Sequence, residues 1–334
     1  MRASRPWRRL LRFAIVILLL PLLRIGPVSA QQPVEFKVGI SDPVNTVLAI
    51  WMADAAGLYA ANGIKAEIIN MNGGSRGAAE LAAGRIDAMH VGLSSVVRLN
   101  RTGGDLRIIA SLANVIRFVF VSAPSVKTAA DLKGGVVGVS TFGSESDSTV
   151  TLALKRLGLS RDDVTLKEYG GGPRRLAAVK SGEIKATAVN EPFTSMAREQ
   201  GFNTLVDLVP ENIPWLFTAI VVKRGAIADR RDVLTRFIRA TAEGNYLALT
   251  DEKRAKEVLA KQAGITDPKI LDISYNDFKL LSPQNIEPTD AAAKSILAQF
   301  PEASQKVEDY VDRGILDGLR KDGVFTALAQ KYKR

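Results

Sequence analysis

Residues 66–91 read AEIINMNGGSRGAAELAAGRIDAMHV, and this stretch decides the fold. An apolar strand at 66–70 runs into a turn at 72–75 that contains Gly73 and Gly74. A short alanine-rich helix follows, and Gly84 opens the approach to a second strand. Strand, glycine turn, helix and strand in this order predict an α/β unit.

The same unit recurs 98 residues later in the chain. Residues 165–190 again contain a strand, a glycine turn, a helix and a second strand. In both copies the last turn glycine precedes the helix-ending glycine by ten residues, as Gly74 precedes Gly84 and Gly172 precedes Gly182. A repeat of this length is too long for a solenoid and predicts one α/β unit used twice, in two similar lobes.

The first thirty residues predict a secretory signal peptide. Five arginines precede the apolar run at 13–20, and Val28-Ser29-Ala30 gives a small-residue cleavage site before Gln31. The alternative is an uncleaved membrane anchor, but the apolar run is short and is followed by Pro21 and Arg24. We therefore expect a protein that is exported to the periplasm and cleaved.

Composition and charge exclude several classes of function. Without the six arginines of the leader, the 45 basic residues become 39 against 35 acidic residues, a net charge of +4. Charges of both signs are scattered, with no basic run interleaved with aromatic residues, so nucleic-acid binding is not predicted. The absence of cysteine excludes disulfides, thiol catalysis and zinc–thiolate sites.

The rest of the chain predicts two lobes joined by two crossovers. A first lobe is expected at residues 33–122 and 223–334, and a second lobe at residues 123–222. After a hydrophobic strand at 217–223 the pattern changes to helices only, expected at 230–250, 253–264, 269–280, 289–300, 305–311 and 324–333. These helices cannot form a third α/β lobe, and two crossovers between lobes predict a hinge.

Ligands of open α/β lobes gather at the carboxyl ends of the strands, where helix N-termini present unpaired N–H groups. Glycines and small hydroxyl residues occupy these positions in both lobes. They are Ser41, Gly73, Gly74, Ser75, Ser94 and Ser95 in the first lobe, and Ser140, Thr141, Gly143, Ser144, Gly171 and Gly172 in the second. Two such edges facing each other across a hinge predict a cleft suited to a small anion, although glycines and serines also make ordinary turns and caps. Pro173 removes one N–H from the second turn, so the first turn is the better candidate.

Charged and polar side chains extend this candidate site. Arg76 and Arg174 follow the two glycine turns at equivalent places, and Arg117 begins an apolar strand, so each could pair with a carboxylate or sulfonate. The alternative is solvent exposure, above all for Arg174, whose neighbour Arg175 suggests a surface pair. Polar groups that could orient a ligand are Asn45, Asn114, Asn190 and Glu191, and apolar walls could come from Phe142 and Trp215.

Catalysis finds little support in the sequence. His90 is the only histidine and lies in the apolar strand at 88–91, where a core or near-cleft position without a catalytic role is expected. Without a second histidine or a cysteine, no metal cluster or Ser–His triad is predicted. Glu145 and Asp147 are close together, but acids at a helix start usually stabilise its dipole. We predict no active site and no cofactor.

Four segments resemble the nitrate, sulfonate and taurine family of ABC-transporter substrate-binding proteins, in the superfamily of the thiamine-precursor synthases. They are AIWMADAAGLYAANG (49–63), IINMNGGSRGAAELAAGRIDAMHV (68–91), AADLKGGVVGV (129–139) and VNEP (189–192). The resemblance implies the α/β, two-lobed type II periplasmic binding protein fold. It also implies ligand contacts at residues 41–45, 73–76, 94–95 and 141–144.

The predicted function is therefore that of the solute-binding component of an ABC importer. We expect a monomer that closes on a small organic anion and delivers it to an inner-membrane permease. Alkyl or aromatic sulfonates, aromatic carboxylates, nitrate and a neutral pyrimidine precursor remain open as ligands. Two alternatives are an exported ligand-binding sensor and an enzyme related to thiamine pyrimidine-precursor synthases or menaquinone-pathway lyases.

Overall fold

The computed structural model describes residues 32–334, so the predicted signal peptide at 1–30 lies outside the described residues. The described residues contain ten strands. They are β1 (Val34–Ile40), β2 (Ile64–Asn70), β3 (Ala88–Val91), β4 (Leu106–Val115), β5 (Val119–Ser122), β6 (Val136–Val139), β7 (Thr165–Glu168), β8 (Ala186–Val189), β9 (Asn203–Asp207) and β10 (Pro214–Lys223).

The strands form two five-stranded sheets with one plan. The first sheet has the order β2-β1-β3-β10-β4, and the second has the order β7-β6-β8-β5-β9. In each sheet the first three strands are parallel, and the fourth is antiparallel to both of its neighbours. The predicted use of one α/β unit in each of two lobes is confirmed.

The fourth strand of each sheet is contributed by a chain that has just left the other sheet. The chain passes from β4 to β5 through residues 116–118 and returns from β9 to β10 through residues 208–213. The strand Val119–Ser122 therefore lies in the second sheet, and Pro214–Lys223 lies in the first. These placements differ from the predicted boundaries at 122/123 and 222/223, because each crossing strand pairs with the sheet it enters.

Fifteen α-helices of the described chain cover and connect the sheets. They are α1 (Leu48–Ala55), α2 (Leu58–Ala61), α3 (Gly74–Ala82), α4 (Leu93–Arg101), α5 (Ala129–Leu132), α6 (Glu145–Arg156), α7 (Gly172–Lys180), α8 (Phe193–Glu199), α9 (Arg224–Asp229), α10 (Arg231–Thr250), α11 (Glu252–Ala263), α12 (Pro268–Leu281), α13 (Asp290–Leu297), α14 (Gly314–Lys321) and α15 (Val324–Lys331). Within residues 32–334 no helix is long and apolar enough to cross a membrane.

One predicted C-terminal helix is wrong. Residues 305–311 contain only a 3-10 turn at Val307–Asp309, and Val311 forms a parallel bridge to Ile108 of β4. The backbone N–H of Ile108 donates to the carbonyl of Tyr310 at 2.8 Å, and the N–H of Asp312 donates to the carbonyl of Ile108 at 2.8 Å. Because β4 is an edge strand with unpaired backbone groups, it holds this segment extended.

The C-terminal helices pack against the first sheet, and α10 packs closely on α1 at Gly244. A Cβ atom on Gly244 would lie 2.7 Å from both the Cβ and the backbone nitrogen of Ala53, and it would overlap the carbonyl oxygen of Ala49. On the same side, Phe237 of α10 lies between Phe36 and Tyr59, with ring centroids 4.6 and 5.2 Å away. The missing side chain of Gly244 is thus what allows the two helices to approach.

Replacing Gly244 by alanine should lower the free energy of unfolding by about 2 kcal/mol, because the added methyl group overpacks a backbone contact. Gly318 in α14 is the matched control, since a Cβ there meets no heavy atom within 4 Å. Gly318→Ala should raise the unfolding free energy by about 0.5–1 kcal/mol through a less flexible unfolded chain. Urea titration of both variants measures the difference, and equal effects of the two substitutions would contradict the packing argument.

Candidate functional site

A cavity of about 50 Å³ lies between the two sheets, where the strands of both lobes end. The first lobe contributes Ser41, Asp42, Val44, Gly74, His90, Val91, Gly92, Phe217 and Thr218. The second lobe and the first crossover contribute Phe118, Ser140, Ser144, Glu145, Ser146, Arg175 and Asn190. At roughly 15 Å³ for each water, the space holds about three water molecules in this closed arrangement.

The buried carboxylate of Glu145 crosses from the second lobe to the first. Glu145 is the first residue of α6, and its Oε1 accepts the backbone N–H of Ser94 at 2.8 Å near the N-terminus of α4. Its Oε2 accepts the hydroxyl of Ser94 at 3.0 Å and the indole N–H of Trp215 at 2.6 Å. Glu145 thus occupies the donors that a ligand anion would use at this helix N-terminus.

Gly92 makes this contact possible. A Cβ atom at this position would overlap the carboxylate of Glu145 and the carbonyl oxygen of Phe217. Burial raises the pKa of Glu145 to about 7, while the donors Trp215 and Ser94 and the charge of Arg98 oppose that rise. The group therefore titrates near neutral pH.

A second carboxylate crosses in the opposite direction. Asp42 follows β1 in the first lobe, and its Oδ2 accepts the backbone N–H of Gly172 at the start of α7, at 2.5 Å. The same oxygen lies 3.6 Å from the guanidinium of Arg175. Burial raises the pKa of Asp42, and the charge of Arg175 and the N–H of Gly172 oppose the change. Its other oxygen, Oδ1, has no hydrogen-bond partner among the described residues.

Arg175 is held by the second lobe and is not at the surface. Its side chain is 3% exposed, and it donates to the carbonyl of Gly170 at 3.0 Å, to Thr187 Oγ1 at 3.2 Å and to the carbonyl of Ala188. The surface pair expected for Arg174 and Arg175 is therefore wrong, since only Arg174 is exposed. Arg175 presents a fixed buried cation to Asp42.

Several neutral polar groups complete the cavity. The hydroxyls of Ser140, Ser144 and Ser146 bond to one another at 2.9–3.0 Å. His90 Nε2 lies 3.3 Å from the hydroxyl of Thr46, and burial lowers the pKa of the imidazole to about 4, so the ring is neutral. His90 lines the cavity, in agreement with a position near the cleft.

Some predicted site residues meet at this cavity or hold the lobes beside it. Ser41, Gly74, Ser144 and Asn190 line it, and Ser94 and Trp215 contact Glu145. Gly73, Ser75 and Thr141 form a contact between lobes, in which the backbone N–H of Ser75 donates to Thr141 Oγ1 at 3.2 Å. The hydroxyl of Ser95 donates to the carbonyl of Gly143 at 3.5 Å.

The preference for the first glycine turn as the anion holder stays a prediction, although two of its N–H groups are engaged in the described chain. The backbone N–H of Gly73 donates to the carbonyl of Ser41 at 2.9 Å, and that of Ser75 bonds to Thr141. The second turn instead binds a carboxylate, that of Asp42, through Gly172. Pro173 removes an N–H, but the preceding N–H, that of Gly172, is present and donates to Asp42.

Other predicted residues lie away from the cavity. Asn45 and Arg117 bind Asp277 of α12, and Asn114 Nδ2 donates to the carbonyl of Glu287 at 2.8 Å. Glu191 accepts the hydroxyl of Ser195 at 3.0 Å. The exposed side chains of Arg76 and Phe142 likewise do not line it. Arg117 also precedes β5, which begins at Val119.

The sequence reasoning covered Asp42 only as part of the range 41–45 that the resemblance implies, and it missed Arg175 and Phe118. It assigned Glu145 only to the helix dipole. A signal was present for Asp42, because it follows the first strand directly beside the candidate Ser41. For Glu145 the pattern offers no signal, since its partners Ser94 and Trp215 lie 51 and 70 residues away in sequence.

Residues 45–255, more than half of the chain, match the family described as NMT1/THI5 like. The chain belongs to the NMT1/THI5-like family. All four segments on which the sequence resemblance rests fall within this match, and the resemblance is confirmed.

Named relatives extend the comparison for this NMT1/THI5-like chain. It is 28% identical over 213 residues, or 60% of its length, to the riboflavin-binding protein RibY of Chloroflexus aurantiacus, and it spans 59% of that relative. The structure is similar to the alkanesulfonate-binding protein SsuA of Xanthomonas axonopodis pv. citri, bound to MOPS, with a TM-score of 0.70 and 19% identity over 85% of this chain and all of that one. It is also similar to the desulfurization enzyme DSZB, with a TM-score of 0.61 and 16% identity over 86% of this chain and 99% of that one. These structural likenesses confirm the predicted fold class.

Proposed function

We propose that this protein is the solute-binding component of an ABC importer and captures a small organic solute by closure of its two lobes. The observation that carries the proposal is the cavity between the sheets, to which both lobes contribute polar side chains. A solute placed there contacts both lobes only when they are closed. Binding therefore favours the closed population, as expected for hinge closure.

The connections between the lobes support this mechanism. Two short segments, residues 116–118 and 208–213, carry the chain from one sheet to the other. Rotation about two adjacent segments can separate the lobes without breaking either sheet. The contacts that must part include the hydrogen bonds of Glu145 and Asp42 and those of Thr141 and Gly143.

The sequence and the family support the proposed location and partners. The leader at residues 1–30 supports export to the periplasm, where a monomer would deliver its solute to an inner-membrane permease. Binding of an organic anion is disfavoured, since the N–H groups of Ser94 and Gly172 already donate to carboxylates of the chain. An enzyme remains the second candidate because of the likeness to DSZB.

A thermal-shift screen of the purified protein against sulfonates, carboxylates, nitrate, pyrimidines and flavins tests the proposal. A solute at 100 times its dissociation constant should add about 2.7 kcal/mol of stability. Small-angle scattering should show a smaller radius of gyration with that solute than without it. Turnover of the bound compound would favour the enzyme, and the lack of a stabilising compound in all five classes would contradict solute binding.

A further inference from the structure

We propose that the cavity recognises a solute that donates hydrogen bonds and carries no negative charge, with Asp42 as its principal acceptor. This inference rests on the proposed solute-binding function and narrows the class of solute. It departs from the organic anion that the sequence suggests.

The acceptor is the unpartnered oxygen of Asp42. The residue is 7% exposed and lines the cavity, and Oδ1 has no partner in the described part of the chain. Its other oxygen is engaged by Gly172 and faces Arg175. A neutral Asp42 would leave the buried cation of Arg175 uncompensated, so the closed cleft holds the carboxylate form. A buried carboxylate oxygen without a donor is costly, and an N–H or O–H of a solute satisfies it.

Two further unpartnered atoms belong to residues that line the same cavity. They are Nδ1 of His90, which is 0% exposed, and Oγ1 of Thr218, which is 7% exposed. A neutral imidazole nitrogen can donate or accept according to its tautomer, and a hydroxyl can do either. These two groups fit many polar solutes, whereas Asp42 selects for a donor.

The charges around the cavity disfavour an anion. Among the described residues that line it, Arg175 is the one cation, and its donors are directed to Gly170, Thr187 and Ala188 as well as to Asp42. Other arginines proposed from the sequence are engaged or distant, since Arg117 pairs with Asp277 and Arg76 is exposed. An anion would therefore share a buried space with the carboxylate of Asp42, and no lining cation is free of that carboxylate to pair with it.

The apolar part of the lining favours a flat ring. Phe118 lies in the first crossover and Phe217 lies in β10, and the two rings meet edge to face, with their centroids 5.1 Å apart. Val44 and Val91 add aliphatic surface from the first lobe. A ring against these side chains, with a donor group directed to Asp42, uses both kinds of surface. Such a ring is larger than a cavity that holds about three waters. Its binding therefore requires the lobes to lie slightly further apart than they do in this closed arrangement.

Benzamidine, benzamide and benzoate test the inference because they share a ring and a planar substituent but differ in donors and charge. Isothermal titration of the full protein with each probe should show benzamide and benzamidine binding at least about tenfold more tightly than benzoate. Asp42→Asn should reduce the preference for benzamidine over benzoate. Asp54→Asn, at an exposed position outside the cavity, should leave that preference unchanged. Thr218→Val provides a second cavity variant that keeps the side-chain shape, and it should lower the affinity for benzamide.

Each outcome of this titration has a definite meaning. Benzoate binding as tightly as the donor probes overturns the inference while it supports solute binding. If neither donor probe binds, the inference is also overturned, and the proposed function then depends on the broader thermal-shift screen. A preference for donor probes that survives Asp42→Asn assigns recognition to other residues and rejects the role of Asp42.

Discussion

Replacing Arg175 by methionine is expected to lower the free energy of unfolding by about 3–5 kcal/mol, because the buried carboxylate of Asp42 loses its counter-charge. The same replacement at Arg174 should change stability by less than about 0.5 kcal/mol, since that side chain is exposed. The two variants differ by one position and have the same change in chemistry. Urea titration monitored by circular dichroism measures both.

A double variant separates the ion pair from the packing of the long side chain. If Asp42 is replaced by asparagine as well, the double variant should lose less stability than the sum of the two single effects. Loss of the bonds to Gly170, Thr187 and Ala188 remains in both backgrounds. Strict additivity would show that Arg175 acts through those bonds alone. An unfolding free energy that Arg175→Met leaves unchanged would contradict the structural role of Arg175.

The contrast between Arg174 and Arg175 shows which features of the site the sequence predicts and which it does not. The repeat correctly placed a glycine turn and a helix in each lobe, and it drew attention to Arg174 as the counterpart of Arg76. Successive residues of a helix are rotated by about 100°, so the neighbouring side chain points to a different surface. The rotation of α7 about its axis decides which of the two adjacent arginines faces the sheet. The turn motif does not determine this rotation.

Local pattern also predicts the strands better than it predicts contacts between lobes. Hydrophobic runs and glycine turns were enough for two α/β units, because they act within about thirty residues. The site depends on Asp42 meeting Gly172 and on Glu145 meeting Ser94, pairs that are 130 and 51 residues apart. The extended segment at Val311 is likewise determined by Ile108, a distant edge residue. Such pairings form only when the lobes assemble, so the periodicity of a single segment does not predict them.

The buried carboxyl of Glu145 should make stability depend on pH between about 4.5 and about 7. Burial raises its pKa from 4.5 to about 7, so in this range the folded protein keeps a proton that the unfolded chain releases. The unfolding free energy should therefore fall as pH rises through the range, by about 3 kcal/mol in total, and the effect should be constant below and above it. The amide of Glu145→Gln does not titrate. The stability of the wild type minus that of Glu145→Gln should show this fall, because the contributions of other groups cancel.

The variant Trp215→Phe independently tests the direction of the pKa shift of Glu145. The indole N–H favours the ionised carboxylate, so its removal should raise the pKa of Glu145 further and extend the fall in stability to higher pH. Denaturant titrations of the three proteins from about pH 4 to about pH 9 measure the profiles. A difference that is flat with pH would mean that Glu145 titrates as it does in the unfolded chain. A difference that rises with pH would mean that the hydrogen bonds of Ser94 and Trp215 outweigh burial, and the carboxylate would then stabilise the closed cleft as an ion.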